Sequence, residues 1–228
     1  MITSIIQPHY LPYIGYFSMM SNSDIFIFHN DVDFIKGEWK NRNVIRMESN
    51  SLLKRFITVP IISKQMNKKL NKLTISYDKD WIKSHLNCIR NAYQKETFYK
   101  SILNILEKVF IKKHQYLSDL NIDLILEIKD FLDIQTEINY SSDFPSNLKK
   151  TEKLVFLLKK VNASIYLANN KSQNYIDEQK FKIEKIKLKY QNFSHPIYSQ
   201  GKNPYMPYLS IIDCIAYYGK NARKFLNV

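Results

Sequence analysis

The sequence predicts an α/β fold: a single domain over residues 1–228, with a parallel or mixed sheet, a βαβ start and a helix-rich middle. Three observations carry this expectation. Two short apolar runs, Ser4–Ile6 and Asp24–His29, flank a segment with helical spacing, and strand, helix and strand in so short a span make a parallel pair. Residues 79–132 repeat apolar positions every three or four residues, the period of a helix, and read as a mainly helical insertion or subdomain. Apolar runs of strand length return after residue 135.

The elements follow in order. Ser4–Ile6 is broken by Gln7-Pro8, and the turn-rich stretch from Pro8 to Gly15 leads into a short helix at Tyr16–Met20. Asp24–His29 (DIFIFH) is a buried strand by its β-forming run. Asn30–Asn43 reads as polar and irregular, and Arg55–Ile61 as a strand closed by Pro60. In Lys79–Phe110, Trp81, His85, Leu86, Ile89, Ala92 and Tyr93 share a face, and a break falls near Thr97. Gln115–Leu132 is helical, Gln135–Ser141 alternates like a strand, and Thr151–Val161 is an amphipathic helix ending in Lys159-Lys160. Ser164–Ala168 and Ile186–Tyr190 are strands, with a helical turn at Tyr175–Phe181 between them. Leu209–Tyr218 is an apolar helix stopped by Gly219.

Composition excludes several function classes. The four glycines cannot build a G-x-G-x-x-G turn or a Walker-type phosphate loop. Two cysteines without a C-x-x-C give neither a disulfide scaffold nor a Cys-type zinc site. No apolar run is long enough for a membrane span and no secretory leader is legible, so the expected compartment is the reducing cytoplasm. The net charge is +13. The basic residues are 29 Lys and only 5 Arg, scattered through the middle of the chain, which reads as a solvated face and not as a nucleic-acid footprint. The charge still favours anionic partners such as nucleotide-sugars, CoA or an acidic carrier protein.

Three segments look specialised against this generic background. Gln7–Tyr16 (QPHYLPYIGY) leaves a strand and enters a helix, where open α/β sheets place ligands. Pro8 and Pro12 stiffen it, Gly15 allows close backbone approach, and Tyr10, Tyr13 and Tyr16 offer rings; the alternative is a rigid aromatic turn with no ligand. Asn30–Arg46 carries Asp31 and Asp33, acids that can bind Mg²⁺, orient a base, or simply form a solvated turn. It also places Lys36, Lys40, Arg42 and Arg46 around Trp39, with Arg42 between Asn41 and Asn43, equipment for a phosphate and a ring or for a salt-bridged hairpin. His195–Asp213 brings His195, Tyr198 and Gln200 close, with Asp213 in an otherwise apolar helix that obliges it to find a partner: Arg42, a backbone group or a ligand. His85 and His114 read as surface residues, and Cys214 and Cys88 as small core residues.

Together these segments resemble the WbqC-like family of bacterial proteins. The resemblance rests on Ile6-Gln7-Pro8-His9-Tyr10-Leu11-Pro12-Tyr13-Ile14-Gly15-Tyr16-Phe17, Asp31-Val32, Trp39, Asn41-Arg42-Asn43 and Thr58-Val59-Pro60. It continues with Ser141-Ser142, Tyr175, His195-Pro196, Tyr198, Gln200, Leu209-Ser210-Ile211-Ile212-Asp213 and Gly219. Against the family pattern Tyr13 stands at a Trp position, His9 at a position not usually His, Asp33 where Gln is common, and Ala168-Asn169 where a Ser-Gly pair is expected. The resemblance implies a cytoplasmic protein of surface-polysaccharide (O-antigen or capsule) pathways.

These readings combine into a transferase that moves an acyl or aminoacyl group onto the amine of a nucleotide-linked amino sugar. His195, Asp31 and His9 form its expected catalytic set. Gln7, Tyr10, Gly15, Tyr16, Trp39, Asn41, Arg42, Asn43, Tyr198, Gln200 and Asp213 form its expected substrate site, with Arg42 on the diphosphate and no metal. No tightly bound cofactor is expected; the acyl donor is a CoA or carrier-protein thioester, the latter on an acidic acyl carrier protein. The rivals are a nucleotidyltransferase-like enzyme and a non-catalytic module for a glycan precursor or nucleic acid.

Overall fold

β1 (Ile2–Ile6) runs through α1 (Ile14–Ser21) into β2 (Ile25–Phe28), which pairs with it in parallel, Ile6 opposite Phe28. This is the predicted βαβ start, in a computed structural model that describes residues 1–48, 52–62 and 68–226. All four residues of β2 are buried, as a strand covered on both faces requires. Phe26 and Phe28 enter one core and Ile25 and Ile27 the other, because successive side chains on a strand point to opposite faces.

After β2 the chain leaves the sheet. It forms an antiparallel ribbon of β3 (Arg42–Arg46) and β4 (Lys54–Thr58), then α2 (Trp81–Tyr93), α3 (Tyr99–Phe110) and α4 (Leu117–Phe131). These helices account for the 79–132 segment and share one core with α1 and α7 (Ile211–Tyr218), where Phe17, Leu106, Leu124 and Ile215 meet. The chain then returns for β5 (Glu137–Tyr140), α5 (Lys150–Lys160), β6 (Ile165–Ala168), α6 (Glu178–Ile183) and β7 (Lys187–Tyr190). α5 and α6 cover the opposite face with Leu157, Leu158 and Phe181. The five-stranded sheet is wholly parallel, in the order β5-β2-β1-β6-β7.

Two expectations are corrected. Asn30–Asn43 is not irregular throughout, because Arg42 and Asn43 open β3; their side chains therefore belong to a ribbon and not to a free loop. The Arg55–Ile61 strand is Lys54–Thr58, ending before Pro60, which has no N–H to give a ladder. At the other end Gly219 closes α7 with φ +54, and a Cβ there would lie 2.6 Å from the Phe98 ring, so the sequence needs glycine.

Candidate functional site

β1 occupies the middle of the sheet. The chain moves from it to β2 and β5 on one side, and from β6 to β7 on the other. Such a reversal opens a crevice beyond the carboxyl ends of the strands, where α/β proteins bind ligands. Five segments reach it: Gln7 after β1, His29 to Asp31 after β2, Ser141 and Ser142 after β5, Asn169 after β6, and Gln191 after β7. The half-buried Gln7 side chain makes no hydrogen bond among the described residues, while its carbonyl accepts the Tyr16 hydroxyl at 3.2 Å.

A polar cluster lies beside it. Ser141 Oγ donates to Asp31, Lys153 Nζ stands 3.3 Å from the second carboxylate oxygen, and His29 Nε2 is 3.9 Å away. Burial pushes the Asp31 carboxyl up, but the Ser141 hydrogen bond and the Lys153 ammonium prevail and hold it below its ordinary range. Asp31 is therefore a fixed carboxylate. Burial takes His29 down to about 4, with Asp31 opposing and Lys153 and Lys69 assisting, so its ring is neutral near pH 7. Lys153, almost wholly buried, also donates to the Phe144 carbonyl at 3.1 Å and to Ser146 at 3.2 Å. Asn30 ties β2 to β5: its amide donates to Ser142 Oγ at 3.1 Å and its Oδ1 accepts from Ser142 N at 3.1 Å. Lys153 escaped the sequence reading because it is one lysine of an amphipathic helix; Ser141 was visible only as half of a Ser-Ser pair.

The first specialised segment is largely braced into the core. Tyr10 is buried with its hydroxyl 2.9 Å from His85 Nδ1, and its carbonyl and that of Leu11 accept from Asn43 Nδ2 at 3.0 and 2.6 Å. Asn121 of α4 donates to the Pro8 and Lys40 carbonyls, and Asn41 to the Val59 carbonyl. Tyr10, Asn41 and Asn43 thus hold the loop shape that the substrate-site expectation assigned to ligand contact. His85, expected on the surface, is buried. Gly15 is buried in α1, and a Cβ there would lie 2.5 Å from the outer end of the Tyr13 ring, which would have to turn aside. Tyr16 is also buried, its ring 5.5 Å from that of His9. Burial, then Lys40, takes the half-buried His9 down to about 4.

Trp39 remains exposed and stacks on Phe56 at 6.3 Å. The Arg42 guanidinium lies 4.8 Å over the same ring and donates to the Gly37 carbonyl at 2.5 Å.

The C-terminal segment closes a different part of the molecule. His195 Nε2 accepts the Tyr208 N–H at 3.1 Å, and Nδ1 stands 3.0 Å from both the Pro196 carbonyl and the Tyr205 hydroxyl. Both ring nitrogens are engaged, and burial foremost lowers the basicity of the ring. Arg42 faces Thr58 at one end of the β3–β4 ribbon, whereas Lys54, opposite Arg46 at the other end, donates to the carbonyl of Pro207, next to Tyr208. The two chain ends do meet, through a Tyr13–Ser210 bridge and a hydrogen bond from Ile211 N to the Pro12 carbonyl. Asp213 finds its partners in Tyr198 and Gln200, each donating to Oδ2 at 2.8 Å, with Arg46, not Arg42, the nearby cation.

Among the described residues no helix is long and apolar enough to cross a membrane, and no group of three or more His, Cys, Asp or Glu side chains is placed to hold a metal. The chain is similar to an uncharacterized protein of Mycobacterium tuberculosis, Rv1507c, with 28% identity over 226 residues that cover 98% of this chain and 96% of that one. No solved structure matches. The WbqC-like protein family matches residues 7–225, including the strand-end loops that open the crevice, and the chain belongs to that family.

Proposed function

We propose that the crevice binds a nucleotide-linked amino sugar, and that the protein transfers an acyl or aminoacyl group to the sugar amine during assembly of a bacterial surface polysaccharide, O-antigen or capsule, in the cytoplasm. The observation that carries this reading is the strand order β5-β2-β1-β6-β7, with the unengaged Gln7 side chain at its reversal point. β5-β2-β1 is the order of a mononucleotide-binding α/β half, and β6-β7 extend it past the reversal as in doubly wound nucleotide-binding sheets. The surroundings suit an anionic, hydroxylated ligand. Lys153 and Lys69 act on His29, and His29 and His9 are neutral hydrogen-bonding groups near pH 7. Trp39, on the loop that follows β2, and Phe56, on β4, form an exposed platform. An acyl thioester of CoA or of an acidic carrier protein is the donor that dispenses with a glycine-rich ATP loop. The amine nitrogen bonds to the carbonyl carbon, the carbon–sulfur bond breaks, and a thiol leaves.

The test is incubation with dTDP- and UDP-amino sugars and acyl thioesters, following product mass. A gain equal to the acyl group on the sugar is expected. The absence of any mass change, together with no binding of nucleotide-sugars, overturns the reading. The same strand order favours a second reading, nucleotidyl transfer, whose mark is pyrophosphate released from a nucleoside triphosphate. Binding without turnover marks the non-catalytic alternative.

A further inference from the structure

Acyl transfer to an amine needs a base, and four of the five histidines are poorly placed for that role. His195 and His85 are occupied by hydrogen bonds within the fold, His9 has no carboxylate partner among the described residues, and His29 lies beyond hydrogen-bond distance of Asp31. His114 is different. Its Nε2 is 2.8 Å from Asp123 Oδ2, and its Nδ1 is engaged by nothing among the described residues. A ring oriented by a carboxylate on one nitrogen and free on the other is the arrangement of a general base. Lys112 Nζ reaches the same Asp123 oxygen at 2.8 Å. Burial pushes the Asp123 carboxyl up, but Lys112 and His114 hold it below its ordinary range, so the orienting group stays charged.

The dyad lines a shallow depression of about 360 Å³, open to solvent. His114, Asp119 and Asp123 form one side, Asn30 and Ser142 another, and Tyr140 supplies a ring. Carboxylate, amide and hydroxyl groups around an aromatic face suit a sugar ring, whose hydroxyls need partners and whose carbon face is apolar. The depression adjoins the crevice. Asn30 and Ser142 belong to the strand-end cluster, and His29 N donates to the Ile6 carbonyl at 2.8 Å, so Gln7 lies about one strand spacing, roughly 5 Å, from this edge. α4 reaches both places, through Asn121 on the Pro8 carbonyl and Asp123 in the depression.

We infer that this depression is the acceptor end of the site, holding the amine-bearing sugar, with His114 the base that takes the amine's proton. The inference rests on the acyl-transfer reading above. Asp119, which lines the depression with His114 and Lys72 acting on its charge but no cation within 4 Å among the described residues, accepts a hydrogen bond from the amine. As the nitrogen bonds to the thioester carbonyl, its proton passes to Nδ1 of His114. The carbon–sulfur bond breaks, and the leaving thiolate receives that proton. His114 ends as it began, and no further reactant is consumed.

Two arms test this. In transfer assays His114→Gln is expected to lower kcat about 100-fold or more while KM for the nucleotide-sugar stays within about threefold. Imidazole is expected to restore part of the rate to His114→Ala. A His114→Gln enzyme with kcat within about threefold of wild type overturns the inference and leaves the transfer reading standing. The second arm needs no activity: wild-type protein labelled at histidine is titrated with free D-glucosamine and followed by NMR. A shift of the His114 ring signal, weakened about tenfold by Asp119→Asn, is expected. No shift of that signal overturns the inference, whether or not transfer is found.

Discussion

Gln200 joins Arg46 to Asp213. Its Oε1 accepts from Arg46 Nη2 at 2.7 Å, and its Nε2 donates to Asp213 Oδ2 at 2.8 Å. One neutral side chain thereby connects the β3–β4 ribbon to α7, entirely within the interior.

The buried carboxyl makes stability depend on pH. Burial foremost raises Asp213 to about 6, against the pull of the Tyr198 hydrogen bond and Arg46. Between pH 4 and 6 the folded protein keeps a proton that the unfolded chain has lost, so this group's contribution favours folding at low pH and fades as pH rises through 6. Urea titrations of wild type and Asp213→Asn at pH 4 and 6.5 should show the wild type losing stability relative to the variant as pH rises. An unchanged difference sinks this account.

Both ring nitrogens of His195 have partners within the fold. His195→Ala is expected to cost about 1–2 kcal/mol at pH 7.5, through loss of the Tyr208 N–H acceptor and its packing, and to leave nucleotide-sugar affinity unchanged. Because burial depresses its pKa, its stabilisation is present above about 6.5 and is lost as pH falls below that value. The gap between the two proteins should therefore narrow at pH 5.5. Loss of affinity in the variant would restore the ring to the ligand site.

Gln7 is expected to behave in the opposite way. With no side-chain hydrogen bond to lose among the described residues, Gln7→Ala should change stability by less than about 0.5 kcal/mol yet weaken nucleotide-sugar binding about tenfold, measured by calorimetry. Equal affinity would remove it from the site.

Asn43→Ala tests the bracing of the first loop. It strips hydrogen bonds from the Tyr10 and Leu11 carbonyls and from Val44 N, beside a Leu11 held at φ +43. The expected cost is about 2–3 kcal/mol in urea unfolding. A smaller loss than about 0.5 kcal/mol would mean the loop holds its shape without this side chain.

The fold was legible where the signal is local. Apolar runs at 24–28 and 164–168 and helical spacing in 81–131 report burial directly, and the structure places β2, β6 and α2–α4 there. β3 was hidden because its buried positions include Asn43 and Arg46, polar residues that a strand pattern does not announce. The candidate site was legible only in part for the same reason. Asp31 and Gln7 follow strands and could be placed by position, but Lys153 and His114 acquire meaning only when distant carboxylates come within about 3 Å. Conversely, Tyr10 and Asn43 stood out because the loop needs them, and the sequence does not distinguish a brace from a ligand contact.

The central position of β1 bears on how the protein is made. Its partner on one side follows within a few turns of chain, but β6 begins only at Ile165. At ribosomal rates of about 5–20 residues per second, β1 waits on the order of ten seconds for this neighbour, with the amide and carbonyl groups of that edge bonded only to water. Until β6 is made, that side of β1 is an open sheet edge, able to pair with a strand of another chain.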